Sequence, residues 1–202
     1  MPVNSTVQEL FDRVLVRIDQ SPPVVDFYEA INLTVETVVH RLAFHRSDIV
    51  RSTARITFPA NGATKPLPAG YIGMDGNPGI VGSGSYFQPA GPDTYRSYTV
   101  SGTPVFYEVD SADNLTLYPT PAVEIIVGVA CFTAPPKVVS MDDDVPFGGR
   151  FDSIMVEVAL RMARLGLTSL TDQAVQAMIY SFVDSIVEFR TPRDIRWSRG
   201  VF

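Results

Sequence analysis

A chain of 202 residues with 46% hydrophobic and 19% charged side chains has the balance of a folded globular protein rather than a disordered one. Its formal net charge of −6 argues against a general affinity for nucleic acid, which needs lysine and arginine clustered against phosphate. Cys131 is the only cysteine, which excludes an intrachain disulfide and a zinc site built from thiolates. The longest apolar run, residues 125–132, is far too short to cross a bilayer and reads as a buried strand. Residues 1–10 lack the basic and apolar blocks of a signal peptide. The expectation is a reduced, soluble protein with no membrane segment, in which the Asn-x-Ser/Thr triplets at Asn4, Asn32 and Asn114 are chance matches.

Periodicity divides the chain into three parts. Residues 1–47 predict two helices. The first carries Val7, Leu10, Phe11, Val14, Leu15 and Ile18 at helical spacing, with Thr6 and Glu9 placed as a capping box. Ser21-Pro22-Pro23 breaks the chain, and a proline in the first turn can start the second helix. That helix aligns Phe27, Ile31, Val35, Val38, Val39 and Leu42 on one face.

Residues 48–147 are rich in proline and glycine and alternate over short stretches. Strands are expected at residues 55–58, 98–100, 105–109 and 115–118. A longer strand follows, with Val123, Ile125, Val127, Val129 and Cys131 on one face; Asp113-Asn114 and Thr120-Pro121 supply the turns. Residues 70–91 read as a long glycine-rich loop with exposed aromatics at Tyr71, Tyr86 and Phe87, a segment that is either mobile or held by a partner. Between residues 56 and 136 two basic side chains face six acidic ones, a net of −4.

Residues 148–190 return to helix. Phe151, Ile154, Met155, Val158, Met162 and Leu165 form one stripe; Val175, Met178, Ile179, Phe182, Val183, Ile186 and Phe189 form another, capped by Thr171 and ended by Thr191-Pro192. Four amphipathic helices must bury their stripes against each other or a neighbour. The expected fold is therefore α+β: a helical bundle built from both chain termini (1–47 and 148–190), an inserted antiparallel β module (48–147) and a C-terminal arm (191–202).

No catalytic constellation emerges, and neither an enzyme nor a cofactor is expected. His40 and His45 lie five apart, a spacing that does not bring them to one helix face. Gly82-Ser83-Gly84-Ser85 has no flanking strand and helix of a nucleophile elbow, and the glycines of residues 73–84 lack the Lys-Ser/Thr ending of a phosphate loop. Asp142-Asp143-Asp144 lacks the spaced oxygen ligands of a calcium loop and reads as a solvated linker, not a metal site. The C-terminal stretch differs. Arg190, Arg193, Arg196 and Arg199 surround Trp197 and Phe202, residue types favoured at binding hot spots, and predict a recognition arm whose arginine forks meet carboxylates.

The order of parts resembles the head-to-tail adaptor, or connector, family of tailed bacteriophages, particularly the adaptors of short-tailed viruses. The resemblance rests on Thr57-Phe58-Pro59 with Leu67-Pro68, on Gly102-Thr103-Pro104-Val105-Phe106-Tyr107, and on Leu115-Thr116-Leu117-Tyr118-Pro119-Thr120-Pro121. Phe132-Thr133-Ala134-Pro135-Pro136 and the acidic-proline stretch 142–146 complete it. It implies a structural ring, usually dodecameric, docked under the portal protein, with the β module facing a tail nozzle or other tail protein. It also implies a place in the virion neck, assembly in the host cytoplasm, and genomic DNA passing through without specific binding. On that reading the arm residues Arg190, Arg193, Arg196, Trp197, Arg199 and Phe202 meet the portal, and Tyr71, Tyr86 and Phe87 meet the tail component. The competing expectation is a β-rich binding module for a receptor or carbohydrate, carried on a helical stalk.

Overall fold

The computed structural model describes residues 5–18, 23–91, 100–165 and 173–190. The fold is α+β, and the chain divides into two compact units, residues 48–135 and the remainder.

The helical unit holds α1 (Val7–Leu15), α2 (Val24–Phe44), α3 (Asp152–Leu165) and α4 (Gln173–Arg190). Thr6 caps α1, its hydroxyl accepting from the Glu9 amide at 3.4 Å. Val7, Leu10, Phe11 and Val14 are buried on one side of that helix, and the Phe11 ring meets Phe27 of α2 edge to face at 4.9 Å between centroids. Pro23 stands at the N-cap of α2 rather than inside its first turn. α2 buries Phe27, Ile31, Val38, Val39 and Leu42 and packs on both α3 and α4, while α1 packs on α3. α4 contributes Val175, Ile179 and Val183 to this core. The Thr171 cap and the Thr191-Pro192 stop lie outside the described residues.

Residues 136–147 depart from expectation. Composition placed them in the β module, but they belong to the helical unit, because their polar groups pair with it. Asn32 donates to the Val138 carbonyl at 2.9 Å and accepts from its amide at 2.8 Å. The first amides of α1, Val7 and Gln8, donate to the carbonyls of Asp143 and Met141, each at 3.0 Å, and Val145 donates to Ser5. Amides that a helix start leaves unpaired are thus satisfied by a distant segment. A short 3₁₀ turn, Pro146–Gly149, then leads into α3; Phe147, Gly148 and Gly149 all take positive φ there.

Among the described residues, the second unit is two four-stranded sheets over one core. One has the order β1 (Arg51–Phe58), β8 (Ile125–Thr133), β3 (Tyr71–Met74), with β4 (Gly79–Ile80) also on β8. The other runs β2 (Thr64–Pro66), β7 (Asn114–Tyr118), β6 (Phe106–Val109), β5 (Gln88–Pro89). Pairing is antiparallel except between β5 and β6. Phe58, Leu67, Phe87, Leu115, Leu117, Val127, Val129 and Cys131 fill the core. Alternation explains the two central strands: β7 buries Leu115 and Leu117, and β8 buries Val127, Val129 and Cys131. Val123, expected on that same face, precedes the strand and is 66% exposed.

The 70–91 stretch is not a structureless loop. It supplies β3, β4 and β5, held by the long strand β8 and by β6. Gly70 makes the entry possible: its φ is +73°, and a Cβ there would lie 2.5 Å from the Ala134 carbonyl oxygen. Strands this short, with glycine at their pairing positions, leave little alternation in the sequence. The strand expected at residues 98–100 falls mostly in 92–99, outside the described residues.

Candidate interaction surfaces

Of the three aromatics expected to be exposed, the structure exposes one. Tyr86 is 73% accessible, just beyond the turn that follows β4, where it bridges back to Gly79. Phe87, its neighbour, is 1% accessible and belongs to the core, its amide donating to the Pro78 carbonyl at 2.8 Å. Tyr71 packs half-buried against that core, and burial raises its phenol above the ordinary range. Beside Tyr86 lies a hollow of about 240 Å³ walled by Gly79, Gly128, Ile80 and Val81, lined mainly by backbone and aliphatic carbon. Val81 and Ile126, linked by an amide-to-carbonyl bond of 2.9 Å, are exposed next to it. Together they form an apolar surface with one aromatic at its rim.

A second surface was invisible as a site in the sequence. At the end of α2 the amide of Ser47 reaches the Leu42 carbonyl and that of Arg46 reaches Ala43, each at 2.9 Å, with Arg46 at φ +52°. This paired closure fixes the last helical turn. Arg41 then donates from Nε (2.7 Å) and Nη2 (2.6 Å) to the two oxygens of Asp184 on α4. His45 Nε2 lies 2.8 Å from the same carboxylate. The Arg41 fork, and then His45, hold the Asp184 carboxyl down to about 2, against the opposing effect of burial. The guanidinium also sits 5.2 Å from the Phe44 ring centroid and 5.0 Å from that of Tyr180. Phe44 is 75% exposed and Tyr180 is exposed as well. An arginine anchored by a carboxylate and flanked by two accessible aromatics is the composition of a protein-binding hot spot. Arg41 and His45, four apart on one helix face, were the available signal; Asp184 is too distant in sequence to announce itself.

The acidic residues have mostly structural partners. Asp143 accepts from the amides of Val139 and Ser140 at 2.8 and 2.9 Å, and these bonds lower its carboxyl. The Asp142–Asp144 run is therefore a folded turn rather than the open linker expected. Asp110 accepts from the Asn114 and Ala112 amides across the β6–β7 turn at 3.0 and 2.8 Å, and its carboxyl is lowered chiefly by Asn114. Asp75 pairs with Arg51. Glu124 and Asp113 point into solvent. Among the described residues no group of His, Cys, Asp and Glu is arranged to hold a metal ion, and no helix is long and apolar enough to cross a membrane. His40 is exposed on α2, apart from the His45 pairing.

The expected arm lies beyond this description. Arg193, Arg196, Trp197, Arg199 and Phe202 are outside the described residues, and Arg190 ends α4 with its side chain undescribed.

Each unit thus presents an exposed surface, Phe44 and Tyr180 around Arg41 on one and Tyr86 beside an apolar hollow on the other. No curated protein matches the chain. The family model described as SU10 adaptor protein matches residues 5–197, which takes in both units. The chain belongs to that family of phage head-to-tail adaptor proteins.

Proposed function

We propose that this chain is the subunit of a ring, dodecameric by analogy with related connectors, that sits under the portal protein and joins the capsid to the tail. The observation that carries this reading is the family match across both units. A ring needs two unlike patches per subunit so that head-to-tail contacts close. In the proposal the helices from both chain ends form one bundle that supplies these contacts. The Phe44–Arg41–Tyr180 surface is one such patch. The C-terminal residues Arg190, Arg193, Arg196, Trp197, Arg199 and Phe202 dock on the portal, where their charge and aromatic area fit an acidic, grooved surface.

The β unit faces the tail nozzle or another tail protein, with Tyr86 and the apolar hollow beside it as contact points; Tyr71 supports that surface from below. Phe87 is excluded from this role by its burial. DNA passes through the ring without specific binding. The acidic excess of residues 56–136 favours this, because a negative wall repels phosphate and keeps the duplex sliding. The ring therefore belongs to the virion neck and assembles in the host cytoplasm.

Electron cryomicroscopy of the neck tests the proposal. The expected image has this chain as a closed ring between portal and tail, with its C-terminal residues against the portal. A chain found elsewhere in the virion, or absent from it, contradicts the proposal. A variant lacking residues 191–202 should stay folded and lose portal docking; undiminished docking removes the arm from the account.

A further inference from the structure

Among the described residues strand β1 has an open edge, and the hydrogen-bond parity of β8 shows which groups line it. On β8 the carbonyls of Ile126 and Ala130 accept from the amides of Val81 and Asp75, each at 2.9 Å, and the Ala134 amide beyond the strand donates to Gly70. Even-numbered positions of β8 thus face β3 and β4, so odd-numbered positions face β1. The Thr133 amide, which donates to Val50 at 2.9 Å, obeys the same parity. The register pairs Cys131 with Ser52, Val129 with Ala54 and Val127 with Ile56. Ser52, Ala54 and Ile56 therefore spend their backbone groups on β8. Arg51, Thr53, Arg55 and Thr57 turn theirs outward.

Those four residues are also the exposed ones in the strand's alternating burial pattern. Their pairing with β8 runs through all eight residues without a register shift. No proline or bulge interrupts the edge, the usual protections of a solvent-facing strand. Arg51 is tied to Asp48 and Asp75. Among the described residues, the backbone groups of Thr53, Arg55 and Thr57 have no partner, and the Arg55 guanidinium has no carboxylate.

We infer that the β1 edge receives an extended strand of the tail component that the β unit faces, one that carries a carboxylate opposite Arg55. The identity of that partner rests on the adaptor reading; the open edge does not. Main-chain bonds along Thr53, Arg55 and Thr57, about 13 Å of strand, supply adhesion, and the charge at Arg55 selects the sequence. Charge complementarity argues for an acidic segment. A second copy of this chain is a poor occupant: its own β1, paired antiparallel about Arg55, would set two like charges opposite each other, and its other described strands offer no matching free edge. β2 and β5 have three and two residues. β3 is four residues long with a register shift. β4 is bonded on both sides, to β8 and to residues 85–86.

Amide hydrogen exchange on the full chain, free and within neck particles isolated from virions, tests the inference. In the free chain the amides of Ala54 and Ile56 should exchange slowly and those of Thr53, Arg55 and Thr57 quickly. In the neck the second set should become as slow as the first. Exchange at Thr53, Arg55 and Thr57 that stays fast in the neck overturns the inference and leaves the adaptor reading intact. Absence of the chain from the neck overturns both. Protection that grows with concentration in the free chain, together with dimers in sedimentation, assigns the edge to a second copy and overturns the named partner. Two variants supply an independent check on docking to the tail component. Arg55→Pro removes one outward donor without touching the β8 ladder, and Arg55→Glu reverses the charge. Each should weaken docking about tenfold or more while the free chain keeps its melting temperature; docking at full strength in both overturns the inference.

Discussion

One carboxylate at position 184 ties the end of α2 to α4, and its chemistry sets a pH dependence. The Asp184 pKa is held at about 2 against an ordinary 3.8. A depressed folded value means the pairing stabilises fully above the ordinary carboxylate range, and that stability is lost as pH falls from about 4 through about 2. Asp184→Asn should cost about 1–2 kcal/mol near neutral pH. Thermal melts from pH 6 to pH 2 check this: the gap between wild type and variant should close toward the acid end, and a constant gap contradicts the assignment. The adjacent aromatics of the β unit separate in the same way. Phe87→Ala removes a buried ring from the core and should destabilise by about 3–5 kcal/mol. Tyr86→Ala changes an exposed ring and should stay within about 0.5 kcal/mol, while weakening contact with the tail component. Denaturant unfolding of both variants measures the difference.

At the scale of elements, what the sequence disclosed depended on how far each element's pattern extends. α1 begins at Val7 beside a Thr6 cap, as its spacing required, and β7 and β8 bury the alternate residues that their alternation marked. The 70–91 stretch was illegible because its strands are four, two and two residues long, too short to carry a period. Tyr86 and Phe87 look alike in composition; only the turn after β4 decides which ring is buried. The placement of residues 136–147 depended on Asn32, more than a hundred positions away, and local composition does not encode such a partner. The Arg41–Asp184 fork was hidden for the same reason. Gly70, by contrast, acts through local geometry. Gly70→Ala imposes a positive φ on alanine and drives its Cβ into the Ala134 carbonyl. It should cost about 2 kcal/mol or more, read as a lowered midpoint in urea.

At the level of the whole molecule, an α+β chain of two units suits the proposed assembly, in which each unit meets a different neighbour. Each unit carries its own core, so the surfaces that remain are available for contact. The helical unit presents Phe44 and Tyr180 around Arg41, and the β unit presents Tyr86, the apolar hollow and the β1 edge. On the proposed function the subunits gain their ring from a template, because a portal would collect many copies at high effective concentration. Sedimentation of the purified chain, alone and mixed with the purified portal ring of the same virus, tests that claim most directly. The expected result is a monomer alone and, in the mixture, one discrete complex whose added mass is a whole ring of subunits. A chain that remains monomeric in the presence of the portal contradicts it.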